Sequence, residues 1–250
     1  VSRKMGAFAF TRWRMVFASA MLGAAATLMG TWGTLNPLLI GVLVLSGFIG
    51  IFIGDTVLFA CMNRLGPRRA GILFATHSMM SAVLAALFLG ERLSAVAMVG
   101  CALLVGGVMT AIAFGKRAGS ASEWEATRGR LAVGVGLGLV AALGQALGTL
   151  IVKPVMAPDV DPVAASAIRM AAGFGFHAAL LLVGWKPARL AAAMQRRDWL
   201  LLAGSAFLSM ALGMTLILAA LKYGSAGLVG MLSSVAPILL LPLLWWLKSR

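Results

Sequence analysis

Charge is scarce in this 250-residue sequence, and negative charge scarcest: Asp and Glu number seven against 21 Lys and Arg, and charged residues make up 11% of the chain. A water-soluble domain of this length needs far more polar cover for its exterior. Histidine and cysteine number two each. Cys61 and Cys101 both fall inside apolar runs, where a thiol behaves as a small apolar group, so neither a disulfide nor a metal site is expected. No Gly-Lys-Ser/Thr phosphate loop is present, which leaves no ATP-driven mechanism within the chain. Gly-x-Ser-x-Gly and His-Glu-x-x-His are absent too, so no catalytic residues are assigned and no cofactor is expected.

What the chain does have is apolar length. Hydrophobic residues form 61% of it, and the mean hydropathy is +0.99. The apolar runs reach roughly 20 residues, enough for a helix to cross the hydrocarbon core. In lipid, backbone groups must be satisfied internally, so helices and closed barrels are the only spanning structures. Continuous Leu/Ala/Val/Gly runs without alternation favour helices. The fold class expected is therefore all-α integral membrane, with about eight spans at 13–34, 38–62, 68–89, 93–114, 131–154, 163–185, 199–222 and 225–247. The basic start, Val1 to Arg14, runs into an apolar stretch without a clear cleavage site, so no cleavable leader is read there.

The net charge of +14 does not point to nucleic acid, because the basic residues lie in short loops between spans, where they act as a topology signal. Seventeen Lys and Arg fall on one side, and Arg92, Lys153 and Lys222 on the other. That bias predicts a cytoplasmic location for the first side, including both chain ends and the Lys116–Arg130 segment.

Two halves echo one another. Arg14-Met15 corresponds to Arg169-Met170 at a shift of 155, and Asn63-Arg64-Leu65-Gly66 to Leu221-Lys222-Tyr223-Gly224 at a shift of 158. The second half has a helix before its Arg-Met span that the first lacks, and the first has a helix after Gly90-Glu91 that the second lacks. Completing both would make two five-helix repeats, and an odd repeat inserts its second copy upside down. The domains expected are 1–115, a polar linker 116–130, and 131–250.

Gly54-Asp55-Thr56, the stretch Asn63 to Ala70, Leu89-Gly90-Glu91-Arg92-Leu93, the stretch Ala220 to Ala226, and Val235-Ala236-Pro237 together resemble the EamA-type branch of the drug/metabolite transporter superfamily. The resemblance implies a ten-helix exporter of metabolites or drugs with a central cavity between inverted repeats, here without its first and last helices and without a second Gly-Glu pair. It also implies that the helix carrying Ser234 and Pro237 lines the cavity.

Intramembrane polar groups are the candidates for a substrate or proton pathway, because each costs energy in a span. Asp55 lies deep in the second span, and His77 in the third. Each is eleven positions from Gly66, so antiparallel helices would hold them at similar depth, where they could act as one proton-sensitive pair. The alternative is polar packing for both. Arg169 could hold a carboxylate substrate in bidentate fashion or snorkel towards Asp159 and Asp161, with snorkelling the preferred reading. His177 reads as a structural polar contact two turns on. Gln145 with Thr149 could line a cavity or bind neighbouring helices, and Ser233, Ser234 and Pro237 interrupt the last span. Gly50/Gly54, Gly134/Gly138 and Gly144/Gly148 are small-xxx-small pairs whose default use is close helix packing.

These readings combine into a secondary transporter, an exporter of small metabolites or drugs in a bacterial inner membrane, working by alternating access with proton coupling as an open element. Its partners are a small-molecule substrate and the lipid bilayer, and a homodimer is compatible with the sequence. A non-transporting scaffold or sensor is the alternative, followed by an intramembrane enzyme.

Overall fold

The computed structural model describes residues 1–92, 94–114, 129–184 and 194–233. Among these, all regular structure is helical. We number the long elements α1 (Ala7–Met29), α2 (Pro37–Leu65), α3 (Pro67–Leu89), α4 (Ala95–Phe114), α5 (Leu131–Val155), α6 (Pro162–Leu182), α7 (Arg196–Tyr223) and α8 (Ala226–Ser233). Five of them, α2, α3, α5, α6 and α7, are long and apolar enough to cross a membrane. The eight helices occupy the eight expected spans, α8 being described through Ser233. Of the expected linker, only Gly129 and Arg130 are among the described residues, and Ser234 and Pro237 lie outside them.

Local sequence explains the helix ends. Asn36 accepts the Leu39 amide at 2.8 Å and Pro37 opens α2, while Asp161 accepts the Val163 and Ala164 amides at 2.9 Å and Pro162 opens α6. Gln195 and Asp198 form a capping box at α7. The α2–α3 hairpin is a single residue, Gly66 at φ 85°, a conformation that favours glycine, followed by Pro67. The first helix starts six residues earlier than the apolar run suggested, with Arg12 and Arg14 buried inside it. Their burial against neighbouring helices, which sequence does not display, extends the helix beyond its apolar stretch.

Two helices are widened at matching places. In α2 a π-helical stretch spans Gly47–Asp55, and in α7 another spans Ala206–Gly213. Their starts differ by 206 − 47 = 159 and their ends by 213 − 55 = 158, the register read from the hairpin motifs. Such stretches interrupt the regular hydrogen-bond ladder and recur at functional sites.

Packing sets the α2 stretch between α5 and α6, and the α7 stretch against α1. Helix α1 lies along α6, α5 covers the π-helical stretch of α2, and α8 lies along α3. Glycine decides the closeness of α2 and α5: a Cβ on Gly144 would stand 3.1 Å from Gly54 Cα, and one on Gly148 2.8 Å from Gly50 Cα. Gly134 and Gly138 carry α5 onward against Leu65 and Leu73. The small-residue pairs thus serve packing, as their default reading held. Leu43, Leu150, Leu218 and Leu221 form one apolar core, and Met15, Ile51, Met170 and Met210 a second. Outward faces remain apolar, with Leu45, Leu87, Leu103, Leu200 and Leu208 exposed, as a lipid-facing surface requires.

At the end holding the α1–α2, α3–α4, α5–α6 and α7–α8 turns, charged side chains tie elements to backbone. The Glu91 carboxylate accepts the Ala226 and Gly227 amides at 2.7 and 3.1 Å, capping α8 from across the bundle. Lys153 Nζ donates to the Leu221 and Gly224 carbonyls at 2.6 and 2.7 Å, and Lys222 Nζ to the Val160 carbonyl at 2.8 Å.

Candidate functional site: two polar clusters inside the bundle

The first cluster surrounds the end of the α2 π-helical stretch. Asp55 is its last residue and is buried, with Arg14 of α1 and Arg169 of α6 as its electrostatic partners. Thr56 Oγ1 and His177 Nε2 are 2.9 Å apart, which ties α2 to α6 beside Asp55. The His177 ring is further held edge-on by Phe8 and Phe52. Arg14 donates through Nη2 to Ser209 Oγ, inside the α7 π-helical stretch, and its guanidinium lies 4.9 Å from the Phe59 ring centroid. Arg169 is fully buried, and Nε, Nη1 and Nη2 all lack hydrogen-bond partners.

The second cluster lines a small cavity between α3, α5, α7 and α8. His77, Ser81, Gln145, Thr149, Val229 and Ser233 are among its walls. His77 Nε2 lies 3.3 Å from Ser233 Oγ, while His77 Nδ1 and Gln145 Oε1 have no hydrogen-bond partner. His77 starts the second part of α3 after a break at Ala75–Thr76, where Thr76 Oγ1 donates to the Leu73 carbonyl at 2.6 Å. Unsatisfied acceptors and rings facing a cavity are groups a polar ligand or water can meet.

Asp55 and His77, expected to face one cavity, stand in different clusters: His77 lines the cavity and meets Ser233, while Asp55 is not among the cavity's walls and faces Arg14 and Arg169. Equal distance from Gly66 sets depth but not azimuth, and the π-helical stretch and the break before His77 both re-phase the faces between them. Arg169 bonds with neither Asp159 nor Asp161; Asp161 is instead occupied as the α6 cap, and Arg169 turns into the bundle. Gln145 lines the cavity and His177 joins the Asp55 cluster. The sequence reading passed over Arg14, Ser209, Thr56 and Ser233 as members of these clusters, or named them without a role. A usable signal existed for Arg14, because the repeat register sets it opposite Arg169 at 169 − 14 = 155.

A family model described as EamA-like transporter family matches residues 1–113 and 132–250. The chain belongs to the EamA-like transporter family. It is thus a multi-pass membrane transporter of the drug/metabolite transporter superfamily, and the order of motifs from Gly54 to Pro237 had indicated as much. The two matched stretches fall on either side of the polar segment. A solved structure described only as "Crystal structure of protein" is similar in fold, with a TM-score of 0.72 and 20% identity over 97% of this chain and 79% of that one. No curated protein matches in sequence.

Proposed function

We propose that this EamA-like chain is a secondary transporter that exports small metabolites or drugs across a bacterial inner membrane by alternating access. The observation that carries the reading is the meeting of buried polar groups from both halves inside a bundle with an apolar exterior: Asp55 and Thr56 with Arg169 and His177, and His77 with Gln145. A bundle needing only stability would avoid that cost. The two π-helical stretches in one register support a pair of inverted repeats, 1–115 and 131–250, rocking about these clusters.

By the Lys/Arg bias, the end tied by Glu91, Lys153 and Lys222 faces away from the cytoplasm, so those ties close the path on the exit side. The pathway runs through Asp55, His77, Gln145, Arg169 and His177, with Ser234 and Pro237 assigned to it by family resemblance. Proton coupling runs through Asp55. The assembly is a homodimer, which light scattering of the detergent-solubilised protein tests.

The test is export from cells expressing the chain, comparing medium metabolites for wild type and Asp55→Asn at equal membrane abundance. Wild type is expected to enrich a compound that Asp55→Asn does not. Enrichment by both keeps the transporter and removes Asp55 from its mechanism. Enrichment by neither overturns the export reading.

A further inference from the structure

The two arginines related by the repeat register reach towards each other's half. Arg14 of the first half reaches the α7 π-helical stretch at Ser209, and Arg169 of the second half reaches the α2 π-helical stretch at Gly50, where a Cβ would stand 3.4 Å from Arg169 Nη2. Gly50 and Ser209 correspond at 209 − 50 = 159, the same register as the stretches themselves. The two ends of this pseudo-symmetric arrangement differ in one respect. Arg14 Nη2 finds a hydroxyl acceptor and its guanidinium two aromatic faces, with Nε left unpartnered, whereas Arg169 faces glycine and has no acceptor on any of its three nitrogens.

A guanidinium has five N–H donors and keeps its charge, and burying it without acceptors is among the costliest arrangements in a protein. Asp55 compensates in part, but it stands between two guanidiniums, so Arg14, Arg169 and Asp55 together carry one positive charge in excess. A planar group with two acceptor oxygens and one negative charge completes this arrangement, because it matches the fork of Arg169 and cancels the excess. The guanidinium sits beside the Gly50–Gly148 contact, and Thr149, the next residue along, lines the cavity.

We propose that Arg169 is the anion-recognition residue of the pathway and that the substrate class is a small monocarboxylate, held by its carboxylate at Arg169 where the two halves meet. This rests on the transport reading and deepens it by naming the substrate's charge.

The test is thermal unfolding of the full chain in detergent, at constant ionic strength, with matched acid and amide probes: benzoate against benzamide, and propionate against propionamide. The acids are expected to raise the melting temperature of wild type and the amides not. Arg169→Gln is expected to abolish the acid response, and Arg169→Lys, which keeps the charge but loses the fork, to weaken apparent affinity about tenfold. Equal responses to acid and amide in both pairs overturn the proposal. So does an acid response unchanged in Arg169→Gln; should that variant not fold, an Arg169→Lys response equal to wild type does the same. Uptake of labelled benzoate by proteoliposomes separates the two readings: acid-specific stabilisation without flux keeps the anion site and removes transport, and flux of the neutral amides independent of Arg169 does the reverse.

Discussion

The approach of α5 to the widened part of α2 allows an unusually direct prediction. Gly148→Ala adds one methyl group that would stand 2.8 Å from Gly50 Cα, 3.2 Å from Gly50 N and 3.4 Å from the Ser46 carbonyl oxygen. Carbon atoms pack without strain at about 3.5–4.0 Å, so the contact is short by roughly 0.7 Å or more. The opposing atoms are backbone, so no rotamer change relieves it, and the helices must separate. Separation also loosens the 2.6 Å hydrogen bond that Ser46 Oγ donates to the Gly148 carbonyl. Overpacking of this kind costs about 1–3 kcal/mol. Replacing helical glycine by alanine gains about 1 kcal/mol of propensity, which complicates any single measurement.

Gly136, in the same helix with nothing within 4 Å of its Cβ position, receives the propensity gain alone. The difference between Gly148→Ala and Gly136→Ala therefore isolates the packing contribution. Thermal unfolding in detergent, followed by tryptophan fluorescence, should place Gly148→Ala below Gly136→Ala by on the order of 5 °C. Melting of Gly148→Ala at or above Gly136→Ala would refute the argument that backbone approach sets this interface.

Thr56→Val removes the partner of His177 Nε2 in a fully buried site where Nδ1 already has none, and should destabilise by about 1–3 kcal/mol. Adding His177→Leu should recover part of that loss in the same melting assay, since the stranded imidazole is then gone. Glu91→Ala leaves the Ala226 and Gly227 amides uncapped and should cost about 1 kcal/mol, with faster hydrogen exchange confined to the start of α8, while Glu91→Gln keeps an acceptor and loses less. Lys153→Met frees the Leu221 and Gly224 carbonyls and should cost about 1 kcal/mol; an unchanged melting temperature would mean water replaces the lysine fully.

The arginines show how repetition and environment combine. As letters in a sequence, Arg14 and Arg169 differ little: each precedes a methionine near the start of a span. Snorkelling was the natural expectation for Arg169, because a long basic side chain one or two turns into a helix usually reaches the interface. Only the neighbours decide otherwise. Asp161 is committed to capping, the guanidinium is buried beside the contact of α2 with α5, and glycine at position 50 gives it access without giving it an acceptor. Asp55 and His77 fall in different clusters for a related reason. Counting residues along a hairpin measures depth, and the direction a side chain faces depends on every irregular turn in between.

By itself, the sequence determined that the chain is a helical membrane protein, where most of the described helices start and stop, and which family it resembles. Those properties follow from local chemistry: apolar length, capping residues, a Gly-Pro hairpin, and motifs in a recognisable order. Tertiary structure alone decided which buried polar groups meet, that α2 and α7 carry π-helical stretches, and that one arginine of an equivalent pair finds an acceptor while the other finds none. Such facts depend on azimuth and on contacts between residues more than a hundred positions apart, and a linear pattern holds no direct record of either.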